Sequence, residues 1–353
     1  MSFLKCTPSV FVIGEEYEIL VYTEKNGLVA ISVGEKTYYE ENAGALSTEK
    51  KLAKIRIPQA ALDANECYTV LFRESINRKA YYSVLGEWES CRFEFKPIKK
   101  TDNINIYHIA DVHYRFDRGR ALASYFGEGL DLLIFNGDIG EVETLDNYFE
   151  VAKFVGAASG GKIPVLFVRG NHDTRGRLAE RFTDFFPANG KNTYYTFRVG
   201  PLRGIALDCG EDKPDARIEY GGVNAFEAFR RRETEFLKGL LGKYDFAVSH
   251  ICPAQTTPEA GCQFDIEREV YTEWNRELER LGIRFMLCGH IHKAYVLEKN
   301  DKQSLLSHEY PVIVGSAFLE SGGLWGTALT LSGNEISVKF TDDRGDIHAE
   351  YSL

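Results

Sequence analysis

Along the first hundred residues apolar and polar positions alternate in short runs: EYEILVYTE, LVAISVGE, KLAKIRIP, CYTVLFRES, KAYYSVLG and SCRFEFKP. A period of two buries one face and wets the other, so these runs predict strands of antiparallel sheet. Asn26-Gly27, between the first two runs, predicts a hairpin because both residues accept positive φ. About seven such strands within residues 1–97 predict an all-β immunoglobulin- or fibronectin-like sandwich. That segment holds no histidine and no cluster of ligand residues. It is therefore expected to be dispensable for chemistry and available for binding a protein or a sugar.

The pattern changes after Pro97-Ile98-Lys99-Lys100-Thr101-Asp102, which reads as a linker. Beyond it the apolar runs are continuous: INIYHIA, LDLLIFNGD, IPVLFVRGN, GIALD, DFAVSHI, IRFMLCGH and PVIVGSA. Stretches with helical spacing separate them, among them LDNYFEVAKFV, NAFEAFRRRETEFLKGLL and DIEREVYTEWNRELERLG. Strands buried on both faces with helices between them predict a layered α/β domain over residues 98–353. Toward the C-terminus strands return, and GLWGTALTLSGNEISVKF predicts a hairpin across Gly333-Asn334.

Composition narrows the classes. The 353 residues suit two domains, and 44% hydrophobic with 27% charged residues is ordinary for a soluble globular protein. No segment approaches the ~18 consecutive apolar residues of a membrane span, so no membrane partner is expected. The N-terminal MSFLKCTPSVFVIGEEYE is broken by Lys, Thr, Pro and Ser and does not resemble a signal peptide. A cytoplasmic location is expected. Seven cysteines without a C-x-x-C pair suggest neither a disulfide framework nor a zinc knuckle. A net charge of −10 without a basic stripe excludes an extended grip on nucleic acid.

Five of the continuous runs end in metal-capable residues: Asp111 with His113, then Asp138, then Asn171 with His172, then His250, and finally His290 with His292. Open α/β sheets gather ligands at the carboxyl ends of their strands, so these residues would meet in one crevice. Gly137, Gly170 and Gly289 each precede a candidate, as sharp turns into such a crevice would require. A lone D-x-H pair or Gly-Asp turn is common. The ordered set D-x-H, G-D, G-N-H-D, H, G-H-x-H asks the turn explanation to hold five times over.

That order resembles the calcineurin-like metallophosphoesterases, over roughly residues 103 to 340. The resemblance implies a two-sheet α/β sandwich metallophosphoesterase domain with two divalent or mixed-valence transition metal ions. It implies Asp111, His113 and His292 on one ion, Asn171, His250 and His290 on the other, and Asp138 bridging. Nitrogen and oxygen donors without thiolate suit manganese, iron or zinc. Two divalent ions carry +4, the carboxylates return −2 and a bridging hydroxide one more, which leaves an electropositive pit for a phosphate. Hydrolysis of a small-molecule phosphate ester is the expected activity, a phosphodiester ahead of a phosphomonoester or a phosphoprotein. His172 is left without a metal, and imidazole suits proton transfer near neutrality. It is expected to act as general acid, oriented by Glu141, with Asp173 capping the helix that follows.

The residue three beyond Asp138 separates branches of the family. Purple acid phosphatases have a metal-binding Tyr there and serine/threonine protein phosphatases have Asp followed by Arg, whereas this chain has Glu141-Val142. G-N-H-D with that carboxylate looks more like the bacterial cyclic-nucleotide phosphodiesterases, which usually lack an N-terminal sandwich. Arg115, Arg175 and the insert CPAQTTPEAGCQF after His250 are candidates for substrate contact, and the loop GEDKPDAR has no legible role. A non-catalytic relative acting as an interaction platform would be expected to lose ligands, and none is missing.

Overall fold

The structure, a computed structural model, describes residues 3–141, 143–254, 264–318 and 323–353. Val142, Cys262 and most of the insert after His250 lie outside the described residues. Two sheets face each other. The larger has ten strands, and its main path runs Ile347–Ser352, Glu335–Asp342, Leu324–Ser332, Ile104–Ile109, Leu132–Asn136, Pro164–Val168, Ser9–Ile13, Glu16–Tyr22, Leu52–Pro58. The other has six, in the order Tyr195–Val199, Leu202–Ala206, Phe246–Val248, Phe285–Cys288, Val312–Gly315, Ala294–Leu297. Their facing sides share one core, with Ile106, Ile134, Leu166 and Val168 of one sheet and Phe246, Val248, Phe285 and Leu287 of the other.

Helices cover the outer faces. Leu145–Ser159 packs Val151 and Val155 on the first sheet, and Arg268–Arg280 packs Trp274 and Leu278 on the second. Central strands are thus shielded on both sides, which is why LLIF and VLFV read as unbroken apolar runs. The layered α/β arrangement that the alternation of continuous runs and helices predicts is present, and its two facing sheets agree with the sandwich that the family resemblance implies. The hairpin at Gly333-Asn334 forms, with Ser332 opposite Glu335 and Gly333 at φ +56°. The six cysteines among the described residues carry no disulfide, and no helix there is long and apolar enough to cross a membrane.

Among the described residues up to Pro97 the regular elements are all strands except for the helix Gln59–Asn65. Their strands are divided between two layers. Gly27–Val33, Lys36–Tyr39, Cys67–Arg78 and Glu89–Glu94, with Ser83–Leu85 added beside Cys67–Arg78, make an antiparallel sheet of their own, whereas Ser9–Ile13, Glu16–Tyr22 and Leu52–Pro58 complete the ten-stranded sheet. The contact across residue 97 is direct: Val10 and Phe11 run parallel to Pro164 and Val165, and the Phe11 ring meets Phe167 edge-on at 6.0 Å. Period-two alternation identifies a strand but not its partner, so the sequence could not reveal this sharing.

The Asn26-Gly27 hairpin does not form. Glu16–Tyr22 pairs within the large sheet and Gly27–Val33 within the small one, so the turn passes the chain from one layer to the other. Neither residue has positive φ. Glycine is needed at 27 for space, because a Cβ there would stand 2.3 Å from Arg73 O and from the Phe72 ring.

Pairing across residue 97 also reverses the expectation that residues 1–97 are dispensable. A chain beginning at Lys99 would bare the edge of Pro164–Val168, the strand leading into G-N-H-D, along with the apolar side chains packed beneath it. It should be insoluble or inactive on any ester. A soluble product with the full-length rate would show that this strand holds its place alone.

Candidate metal centre

The five ligand-bearing segments leave the carboxyl ends of five parallel strands: Ile104–Ile109, Leu132–Asn136 and Pro164–Val168 in one sheet, Phe246–Val248 and Phe285–Cys288 in the other. The facing sheets bring them together as the sequence order implied. Three groups form, each with donor atoms within 4.8 Å of one another: Asp111, His113 and His292; Asp138, His250 and His290; and His113, Asp138 and His172. Asn171 joins through its Oδ1, 3.0 Å from His290 Nδ1. All eight candidate residues therefore converge, with Asp138 at the centre. Its Oδ2 lies 3.3 Å from His250 Nε2, 3.8 Å from His113 Nε2 and 3.9 Å from His172 Nε2.

The backbone is strained to achieve this. Asp111, His113, Asp138, His290 and His292 all have positive φ, between 42° and 71°. That conformation costs a non-glycine residue on the order of 1 kcal/mol or more and collects at functional sites. Hydrogen bonds hold the loops there: Asp111 N–H to Gly137 O, His113 N–H to Asp138 O, His290 N–H to Asp111 Oδ2 and His172 N–H to Asp138 Oδ1, at 2.8–3.0 Å. The preceding glycines serve mainly close approach. Only Gly137 of the three has positive φ, and a Cβ on Gly170 would fall 2.3 Å from Asp138 Oδ1.

Burial sets the electrostatics. Asp111, Asp138, Asn171 and His250 are buried, whereas His172 and His292 stand at a more open rim. Burial opposes charge on His250, but Asp138 and Asp111 beside it outweigh that and push it up to about 10. Burial likewise opposes charge on Asp138, and His250 nevertheless holds it below the usual carboxylate range. His290 is pushed down to about 4 by burial and by His250. The two carboxylates thus favour positive charge at His250, while burial and His250 disfavour it at His290. Asp111 Oδ1 and His250 Nε2 are buried in the centre with no hydrogen bond, a situation that a cation relieves. The donor set therefore fits the divalent metals typical of the fold.

Three supporting residues escaped the sequence reading. Asp173 does not cap a helix: its Oδ2 accepts the N–H groups of Asp138 and Gly170, both at 2.9 Å, and so ties two ligand loops together. Burial and then Asp138 push its carboxyl up to about 7. Asn136 accepts His250 Nδ1–H on its backbone carbonyl at 2.7 Å, which turns Nε2 toward the carboxylates. Its polar side chain at the end of LLIFN was the available signal. Glu211 belongs to the GEDKPDAR loop and pairs bidentately with Arg175. Beyond Arg175 a groove of about 1060 Å³ leads away, walled in part by Phe226, Phe229 and Tyr220. Arg115 sits at the start of the helix Phe116–Ala123.

A two-sheet α/β sandwich with this His/Asp/Asn cluster at its strand ends defines a metallophosphoesterase, a hydrolase of phosphate esters. Residues 104–294 match the family model for calcineurin-like phosphoesterase, and the chain belongs to that family. Among solved structures, the purple acid phosphatase PPD1 from yellow lupin (Lupinus luteus) seeds superposes on 98% of this chain and 73% of its own, with TM-score 0.60 and 10% identity. PhoD superposes on 99% of this chain and 89% of its own, with TM-score 0.61 and 11% identity. These two likenesses concern the fold, and their coverage includes residues 1–97. No curated protein matches the chain by sequence.

Proposed function

We propose that the chain hydrolyses small phosphate esters, diesters ahead of monoesters, at a dinuclear metal centre. The observation that carries this is the grouping of donors: Asp111, His113 and His292 form one set, Asp138, His250 and His290 the other, and Asp138 also neighbours His113. The first set would hold one ion, the second with Asn171 would hold the other, and Asp138 would bridge. Manganese, iron and zinc all suit these donors. Such ions would neutralise phosphoryl charge and make water nucleophilic near neutral pH.

The chain's own part is positioning and proton transfer. Asn136 and Asp173 hold ligands and loops in place, and His172 gives its proton to the departing alkoxide, with Glu141 Oε1 3.8 Å from its Nδ1. The preference for diesters is supported by Glu141 standing where a metal-binding tyrosine or an Asp-Arg pair would mark other branches. An immunoglobulin-like role for residues 1–97, binding a protein or a sugar, is supported by the separate five-stranded sheet and by exposed Tyr81, Tyr82 and Trp88.

Stripping the protein with chelator and titrating manganese back should give a plateau of two ions per chain, and Asp138→Asn should weaken both. One ion per chain would remove the dinuclear reading. The loaded enzyme should turn over bis-p-nitrophenyl phosphate faster than p-nitrophenyl phosphate. A large excess on the monoester would reverse that order.

A further inference from the structure

Arg175 is mounted more firmly than a surface arginine needs to be. Its Nε donates to Glu211 Oε1 at 2.6 Å, and its Nη2 donates to Glu211 Oε2 at 2.8 Å and to Asp212 Oδ1 at 3.2 Å. Glu211 is buried, and Tyr220 Oη–H and Thr174 Oγ1–H donate to it at 2.9 and 3.3 Å. Buried Arg230 in turn holds the loop by donating to the carbonyls of Cys209 and Glu211 at 2.6 and 3.1 Å. The guanidinium cannot swing away without leaving a buried carboxylate unpaired, which is costly. One nitrogen of the fork is left for the centre: Nη1, 3.2 Å from His172 Nε2.

A guanidinium nitrogen only donates. Nη1 is the one nitrogen of the fork not given to a carboxylate, and it points to the rim where His172 stands, while Arg175 also lines the groove. A phosphoryl oxygen seated between that rim and the groove would accept from it. Glu211 and Asp212 offset the arginine's charge, so what it offers is a fixed direction more than a long-range pull.

We propose that Arg175 is a protein contact to the phosphoryl group of the substrate, with the loop carrying Glu211 and Asp212 as its mount. This rests on the reading of the centre as a phosphoesterase with His172 as proton donor. A contact to the phosphoryl group is made whatever the leaving group is, whereas proton donation matters most for a poor one. Arg175→Lys keeps a charge beside Glu211 but lacks the fork that satisfies Glu211 and reaches the centre together. It should lower kcat/KM roughly 10- to 100-fold, equally on an alkyl and a nitrophenyl ester, and weaken inhibition by inorganic phosphate by a similar factor. Combined with His172→Ala, the two losses should multiply. Arg175→Gln with Glu211→Gln removes both members of the buried pair and should repeat the pattern if Arg175→Lys folds poorly.

Losses confined to the alkyl ester, with no further loss when His172→Ala is added, would mean that Arg175 acts only through His172 and would overturn the proposal. Unchanged kinetics and unchanged phosphate inhibition would overturn it as well. A metal-loaded wild type that hydrolyses no ester would instead remove the underlying reading. Calorimetry with inorganic phosphate would then still test the contact, because Arg175→Lys must weaken that binding.

Discussion

Gly170→Ala should cost on the order of 10² or more in kcat/KM and prevent loading of a full complement of metal, although the change adds one methyl group. The new Cβ would fall 2.3 Å from Asp138 Oδ1, 2.5 Å from Asp138 N and 2.9 Å from Gly137 Cα. These are backbone atoms and a short carboxylate already fixed by His172 N–H, so no flexible side chain can yield. The loops bearing Asp138 and Asn171 must separate, and a displacement of about 1 Å at a reacting centre suffices for such a loss. Gly239 provides the control, because a Cβ there has nothing within 4 Å and alanine suits the helix Phe226–Gly239. Metal content by elemental analysis and rate on a diester read the outcome. Two ions and full activity in Gly170→Ala would show that the loops have slack that their contacts do not suggest.

The same contacts explain what was legible in the sequence. Strand ends were readable because a strand covered on both faces is apolar along its whole length, so the first polar residues after it mark where it leaves the sheet. Asp111, Asp138, Asn171, His250 and His290 could be found in that way without knowing which strands are neighbours. Partners could not be found, because they depend on contacts between distant residues. Asp173 looks like a helix cap locally, yet one of its two acceptances comes from Asp138, 35 residues away. Glu211 looks like a loop carboxylate until Arg175, 36 residues before it, is placed beside it. Asn26-Gly27 carries the composition of a hairpin turn, but glycine is there for the Phe72 ring, on a strand that the local pattern does not connect to it.

Sharing of the large sheet is a further consequence of non-local pairing. The runs of residues 1–97 do mark strands, but the expected wet face is found in Leu52–Pro58 and the first half of Cys67–Arg78. It is not found in Ser9–Ile13, Glu16–Tyr22 or Gly27–Val33, which are buried on both sides because each lies between layers. Hydrogen bonding runs from Val10 to Pro164 and joins the N-terminal strands to the strand behind Asn171 and His172. Packing of residues 1–97 and geometry of the metal centre are thus coupled through one strand, Pro164–Val168.

His172→Ala should retain its metals, lose on the order of 10² to 10⁴ in rate on an alkyl phosphate ester, and lose much less on a nitrophenyl ester. The reason lies in the leaving group: nitrophenolate is stable without a proton near neutral pH, whereas an alkoxide is not. Geometry supports a proton carrier at this position. His172 stands at the open rim with its Nδ1 3.8 Å from Glu141 Oε1 and its Nε2 3.9 Å from Asp138 Oδ2, close to the centre without being one of its expected ligands. Its backbone N–H is held by Asp138 Oδ1, so the ring can be removed while the loop keeps its anchor. Glu141→Gln keeps the shape but loses the charge facing Nδ1, and should produce a smaller loss with the same dependence on leaving group. Equal losses on both esters with metals retained would assign His172 to holding the phosphate or the loop, and the proton would then have to come from solvent.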